Sequence, residues 1–188
     1  VHLYIAGDAK VQVGNSILNI TQTTSYPENG RIHFKVQADT DREITLALRI
    51  PGWAEHYTLR LNGQELTPDK VEKGYAYLTR PWAEATELEV EFDMQPRFMC
   101  ANRKIHYDLG RTAIMRGPVV YCLEEVDNGK YLDELSVDTQ AGLTEEKKEE
   151  FGGFVALKAQ GSRLHVPETD QLYMNYNAKR EKAELTAV

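Results

Sequence analysis

Positive charge is in short supply in this 188-residue chain, with 22 Lys and Arg against 29 Asp and Glu, a formal charge of −7 and an isoelectric point near 5.3. Nucleic acid is held by clustered cations that neutralise phosphates, so the balance excludes a phosphate-reading face and leaves uncharged sugars as compatible ligands. Cysteine is scarce as well. Cys100 and Cys122 are too few for a disulfide framework and cannot by themselves complete a tetrahedral zinc site. They read as two thiols in strands, with one structural disulfide as the alternative and a reactive thiol as a third. No apolar run approaches the ~20 residues of a membrane helix, and no signal peptide is visible. No membrane partner is expected, and the compartment of the protein stays open.

Catalytic signatures are missing in the same way. His2, His33, His56, His106 and His165 are scattered with neither HxH nor HExxH spacing. There is no GxSxG elbow and no glycine-rich phosphate loop. Acidic residues are plentiful, and a glycosidase needs two at a set separation. Glu87, Glu89 and Glu91, however, alternate with Leu88, Val90 and Phe92, which turns the carboxylates to the solvent side of a strand. Glu124 and Glu125 follow an apolar strand and precede a turn. No catalytic, cofactor-binding or metal-binding residue is therefore assigned.

What the chain does have is alternation. Ile44, Leu46, Leu48 and Ile50 share one face, with Thr45, Ala47 and Arg49 on the other, until Pro51-Gly52 stops the ladder. Tyr57–Leu61 and Gln64–Leu66 flank Asn62-Gly63, the pair that tolerates positive φ at both centres of a type I′ turn. Tyr75–Thr79 and Glu87–Asp93 alternate in turn, and the stretch from Ile44 to Met99 reads as a one-sided antiparallel sheet. Upstream, Lys10–Val13 and Ser16–Thr21 flank Gly14-Asn15, a type II′ signal. Ile32, Phe34 and Val36 form a further strand, expected to pair with Glu43–Ile50 across Asp39–Arg42. Strands at this spacing indicate an all-β sandwich.

Downstream, Pro96 loosens the pattern, and a domain boundary is placed between Met99 and Cys100, giving a β-sandwich over 1–99 and a second over 100–188. Thr112–Arg116 and Val119–Leu123 are strands around Gly117-Pro118. Gln140–Gly153 is expected as the one short helix, with Thr144 as N-cap and Gly152-Gly153 as its end. Phe154–Leu157, Arg163–Val166, Leu172–Tyr176 and Ala183–Val188 complete the expected strands.

Two phrases, Leu48-Arg49-Ile50-Pro51-Gly52-Trp53-Ala54 and the run Gly110 to Glu124 containing Arg116-Gly117-Pro118-Val119-Val120-Tyr121-Cys122-Leu123-Glu124, resemble the C-terminal region of glycoside hydrolase family 127. The likeness runs, with gaps, from about Leu3 to Val188, and the family is typified by β-L-arabinofuranosidases. The resemblance implies a fragment: members have an (α/α)6 barrel carrying the active site, followed by β-sandwich domains. In that barrel a cysteine thiolate in a zinc site and a glutamate acid/base are implied, and no position here matches them. Zinc is thus expected only in the barrel, and the barrel of the same polypeptide is the expected partner, with a homodimer as a second. The start at Val1 without Met, in a strand-like phrase, and the stop at Val188 point the same way, as if a final strand were missing.

Four residues take the remaining functional weight. Trp53 and Trp82 sit at strand ends beside prolines, where a ring caps a core or domain interface or offers a stacking face to a sugar. Arg111 and Arg116, around Gly117-Pro118, either ion-pair across a domain boundary or lie on the plain surface. The reading is a non-catalytic accessory region supporting a glycoside hydrolase barrel; the alternatives are a carbohydrate-binding module and a structural or dimerisation module.

Overall fold

The computed structural model describes residues 1–149 and 153–188 and divides the chain into two compact units, Val1–Met94 and Gln95–Val188. The protein is all-β, built of antiparallel sheets. The division falls at Met94–Gln95 rather than at Met99–Cys100, because the strand Pro96–Met99 pairs with Ala113–Arg116 and so belongs to the second unit.

In the first unit, β1 (Gly7–Val13), β2 (Ser16–Thr24), β3 (Arg31–Ala38), β4 (Glu43–Arg49), β5 (Tyr57–Leu61), β6 (Gln64–Glu65), β7 (Lys70–Glu72), β8 (Tyr75–Pro81) and β9 (Thr86–Phe92) form two sheets. The larger runs β1-β2-β3-β9-β5-β6 and the smaller β4-β8-β7. Gly14 has φ +61° at the first hairpin, and Asn62 and Gly63 have φ 48° and 79° at the second, as their turn types demand.

The expected β3–β4 hairpin does not form. β3 pairs with β2 and β9, whereas β4 pairs with β8, so Asp39–Arg42 crosses from one sheet to the other. The link is held by Asp39, whose backbone N–H donates to Ile17 O at 3.1 Å and whose carboxylate accepts the Ile17 N–H at 2.8 Å. The physical reason is burial. Each strand is apolar on one face, and laying all of them in one sheet would leave that face wet; two sheets cover it mutually. Ile32, Phe34, Val36, Leu88 and Val90 from one sheet thus meet Leu46, Leu48, Ala76 and Leu78 from the other. The strand-like phrase Val1–Ile5 lies outside any strand, but Tyr4 drops into this core with its hydroxyl donating to Arg49 O.

In the second unit, β10 (Pro96–Met99), β11 (Ala113–Arg116) and β12 (Val119–Tyr121) make one sheet. The other is built on β15 (Phe154–His165), flanked by β13 (Leu135–Val137) and β14 (Leu143–Lys148) along one edge and by β16 (Lys179–Ala187) along the other. The core joins Ile114 to Leu157 and Ala187, with Phe98, Tyr121, Leu123, Leu143 and Val155 packed around them.

The helix expected over Gln140–Gly153 does not form among the described residues, and Leu143–Lys148 within it is a strand. Thr144, its supposed N-cap, pairs with Lys158, and the ladder runs from Leu143 opposite Ala159 to Lys148 opposite Phe154. Residues 150–152 of that expectation lie outside the described residues. The Glu-Glu-Lys-Lys run has helical propensity, but the open edge of β15 recruits it, and such tertiary pairing overrides propensity. The α-helix found among the described residues is instead α1 (Glu125–Asn128), a single turn. The two strands expected at Phe154–Leu157 and Arg163–Val166 fall, apart from Val166, in one 12-residue strand, Phe154–His165. Leu172–Tyr176 is irregular and largely exposed, not a strand.

Candidate functional site

Trp82 follows β8 directly, and its position there decides its role. It is 0% exposed, its indole N–H donates to Ile44 O at 2.8 Å, and its own carbonyl accepts the Ala38 N–H at 2.7 Å. The Arg80 guanidinium lies 5.8 Å from the ring centroid, within cation–π range. A sugar cannot reach a ring so enclosed. Trp82 is a core residue that ties the β3–β4 crossing to the end of β8.

Trp53 is half-buried at the core margin, stacked on Tyr26 at 6.4 Å and 18° and edge-on to Phe92 at 5.6 Å. Burial raises the Tyr26 hydroxyl above its ordinary value, consistent with a ring cluster that sheds water. Trp53 and Trp82 are thus packed into the first unit and do not form a joint platform.

Arg111 is exposed in the loop before β11, where its N–H donates to Asp108 O at 3.1 Å. Arg116, at the end of β11, is half-buried, and its Nε donates to Glu145 Oε1 of β14 at 2.9 Å. That ion pair joins the two sheets of the second unit. Cys100 and Cys122 are free and exposed, just beyond β10 and β12, so neither the structural disulfide nor a place within a strand is found.

The structure brings together a different set, on the outer face of the larger sheet in the first unit. Strand register places His33 opposite Glu89, Lys35 opposite Glu87 and Arg31 opposite Glu91, while Arg60 from β5 lies opposite Glu89 on the other side. Arg60 donates to Glu89 at 2.5 Å and to Glu91 at 2.9 Å; Arg31 reaches Glu91 at 2.9 Å, and His33 lies 3.2 Å from Glu89. The Arg60 and Arg31 hydrogen bonds hold the Glu91 carboxyl below its ordinary value. Over this ladder opens a cleft of about 400 Å³, lined by Thr23, His33, Lys35, Arg60, Glu87 and Glu89 with the backbone of neighbouring residues.

Alternation in β9 already turned Glu87 and Glu89 to solvent. That they face Lys35 and His33 was not legible, because the pairing of β3 with β9 spans more than fifty residues of chain and carries no local signal.

Residues 1–94 match the model of the β-L-arabinofuranosidase GH127 middle domain, and residues 96–188 that of the glycoside hydrolase family 127 C-terminal domain. The chain belongs to glycoside hydrolase family 127. The non-reducing end β-L-arabinofuranosidase of Bifidobacterium longum subsp. longum is 37% identical over 131 residues, which is 68% of this chain and 19% of that protein. A solved GH127 β-L-arabinofuranosidase from Geobacillus stearothermophilus T6 superposes with a TM-score of 0.88 at 31% identity, covering 98% of this chain and 30% of that one. A second solved GH127 β-arabinofuranosidase gives 0.84 at 29% identity, covering 98% and 31%. The chain therefore spans 19% to 31% of the length of these relatives, in its family's middle and C-terminal domains.

Zinc, which the family likeness implies for the enzyme, finds no fit here: among the described residues no three His, Cys, Asp or Glu side chains converge as ligands. Among them, too, no helix is long and apolar enough to cross a membrane.

Proposed function

We propose that these residues are the non-catalytic β-sandwich region of a longer glycoside hydrolase that cleaves β-L-arabinofuranosides, and that they support its catalytic (α/α)6 barrel. The observation that carries the reading is the end-to-end match to a middle and a C-terminal domain of family 127, in a chain covering 19% and 30% of two β-L-arabinofuranosidases. The residues agree with it. The large rings are committed to packing, Arg116 is committed to Glu145, and the carboxylates Glu89 and Glu91 are bonded to arginines rather than poised as a free acid and base. Zinc and the thiolate nucleophile belong, in this reading, to the barrel.

The test compares the 188-residue chain with the longer polypeptide on an aryl β-L-arabinofuranoside. Release of the aryl group by the longer protein alone is the expected result, and turnover by the 188-residue chain overturns the reading.

A further inference from the structure

The cleft on the outer face of the first unit has a charge arrangement that selects a ligand class. Most of the charge in and beside it is already spent: Arg60 on Glu89 and Glu91, and Arg31 on Glu91, while His33 lies 3.2 Å from Glu89. Two ions are left over. Lys35 and Glu87 stand directly opposite in the β3–β9 register, both exposed, yet among the described residues neither has an ion-pair partner within 4.0 Å. Phe34 and Leu88 turn their side chains into the core and are each 1% exposed, so the polar groups offered to a ligand are those of the outward-facing residues.

Such a site presents an unspent carboxylate, an unspent ammonium and the Thr23 hydroxyl around a space of about 400 Å³ whose lining between these groups is largely carbon. An anion meets the Glu87 and Glu89 carboxylates, and a cation meets the Lys35 ammonium. An apolar ligand would cover Glu87, Lys35 and Thr23 without bonding them, at the cost of their hydration. A neutral ligand dense in hydroxyls satisfies both groups: a carboxylate accepts from adjacent hydroxyls, and an ammonium donates to hydroxyl or ring oxygens, bonds that charge strengthens. The volume lies in the range of small-molecule sites and takes one or two sugar rings.

We infer that this cleft is a non-catalytic subsite for a neutral saccharide, held by Glu87, Lys35 and Thr23. That the sugar is a pentose rests on the function proposed above; that it is a neutral saccharide rests on the cleft alone.

The test is a nitrogen-15 NMR titration of the 188-residue chain with methyl β-L-arabinofuranoside, with glucose and glycine as separate probes. Saturable shifts centred on the amides of Thr23, Lys35 and Glu87, with a dissociation constant of about 1 mM or weaker, are expected for an open site without an aromatic wall. Glu87→Gln and Lys35→Met should each weaken binding about tenfold, as loss of a charge-assisted hydrogen bond does. Because both side chains are exposed, the thermal midpoint should stay unchanged and report that the variants are folded.

No saturable shift with either sugar, shifts that survive both substitutions, or the same shifts with glycine would each overturn the subsite. Binding of glucose without the arabinofuranoside keeps the subsite and overturns the pentose. The readout does not involve hydrolysis, so a failure here leaves the accessory reading standing, and turnover by the chain would sink that reading without touching this one.

Discussion

The two units are of equal length and are held together differently. Val1–Met94 buries seventeen apolar side chains, among them Trp82, Phe34, Ile32 and Leu48, while Gln95–Val188 buries six among its described residues, three of them alanines. Burying a large apolar side chain is worth about 1.5 to 3 kcal/mol, so hydrophobic burial dominates the first unit. The second relies more on polar anchors. Arg163 donates to the carbonyls of Asn128, Lys130 and Tyr131 and to Glu134, which fixes the turn after α1. The Asn128 amide then bonds both the N–H and the carbonyl of Thr186 at 2.8 Å, completing an edge of β16 as a strand would. Small cores need such hydrogen bonds to specify one arrangement; a large alternating core specifies itself by which face is apolar.

The largest expected effect comes from attacking the better core. Trp82→Ala empties a fully enclosed ring site and removes the bond to Ile44 O, and should cost about 3 to 5 kcal/mol in urea denaturation, with amide exchange rising in 1–94. Next come two glycines at matched close approaches. A Cβ at Gly30 would lie 2.1 Å from Phe92 O and one at Gly161 would lie 2.2 Å from Ser136 O, both backbone atoms that cannot swing aside. Gly30→Ala and Gly161→Ala should each cost about 1 to 3 kcal/mol by forcing strands apart. If hydrophobic burial is what separates the units, amide exchange should rise across all of 95–188 for Gly161→Ala and only around β2, β3 and β9 for Gly30→Ala. Equal spread in both would break the comparison.

Arg163→Met keeps the aliphatic stem but leaves several carbonyls without a donor, at an expected loss of about 1 to 3 kcal/mol. The loss should be read as faster exchange at Thr186 and around α1, with the first unit unaffected.

The smallest effect is the response to acid. Glu91 in the first unit is held below its ordinary value of 4.5 by hydrogen bonds from Arg60 and Arg31, and Glu146 in the second by Lys148 and Lys158. A lowered folded value means that the stabilisation is fully present above pH 4.5 and is lost as the pH falls through the range below it. Both groups are solvent-accessible, so the loss is slight and shrinks with added salt. Glu91→Gln should remove part of the acid-side fall in the thermal midpoint at low ionic strength, and an unchanged slope would show that the ladder is fully screened.

Much of the first unit was legible because alternation and turn chemistry are local. Leu46, Leu48, Leu88 and Val90 point inward by period alone, and Asn62-Gly63 makes its turn because both residues accept positive φ. The errors lie where local and distant preferences compete. Glu145, Glu146, Lys147 and Lys148 are good helix formers, yet they are drawn into β14 by the edge of β15. Glu87 and Glu89 were seen to face solvent, but the cleft they share with Lys35 and His33 needs a strand that lies far upstream.

By itself, then, the amino-acid sequence determined the all-β class, the inward and outward faces of its strands, the hairpin turns and the family likeness, since each depends on residues a few positions apart. Only the tertiary structure decided which strands share a sheet, that Trp82 is sealed while Trp53 lies at the core margin, that Arg116 meets Glu145, and that Lys35 and Glu87 stand unpaired across one cleft. Those outcomes turn on pairing between distant segments, where burial of each strand's apolar face chooses the partner and no local residue pattern records the choice.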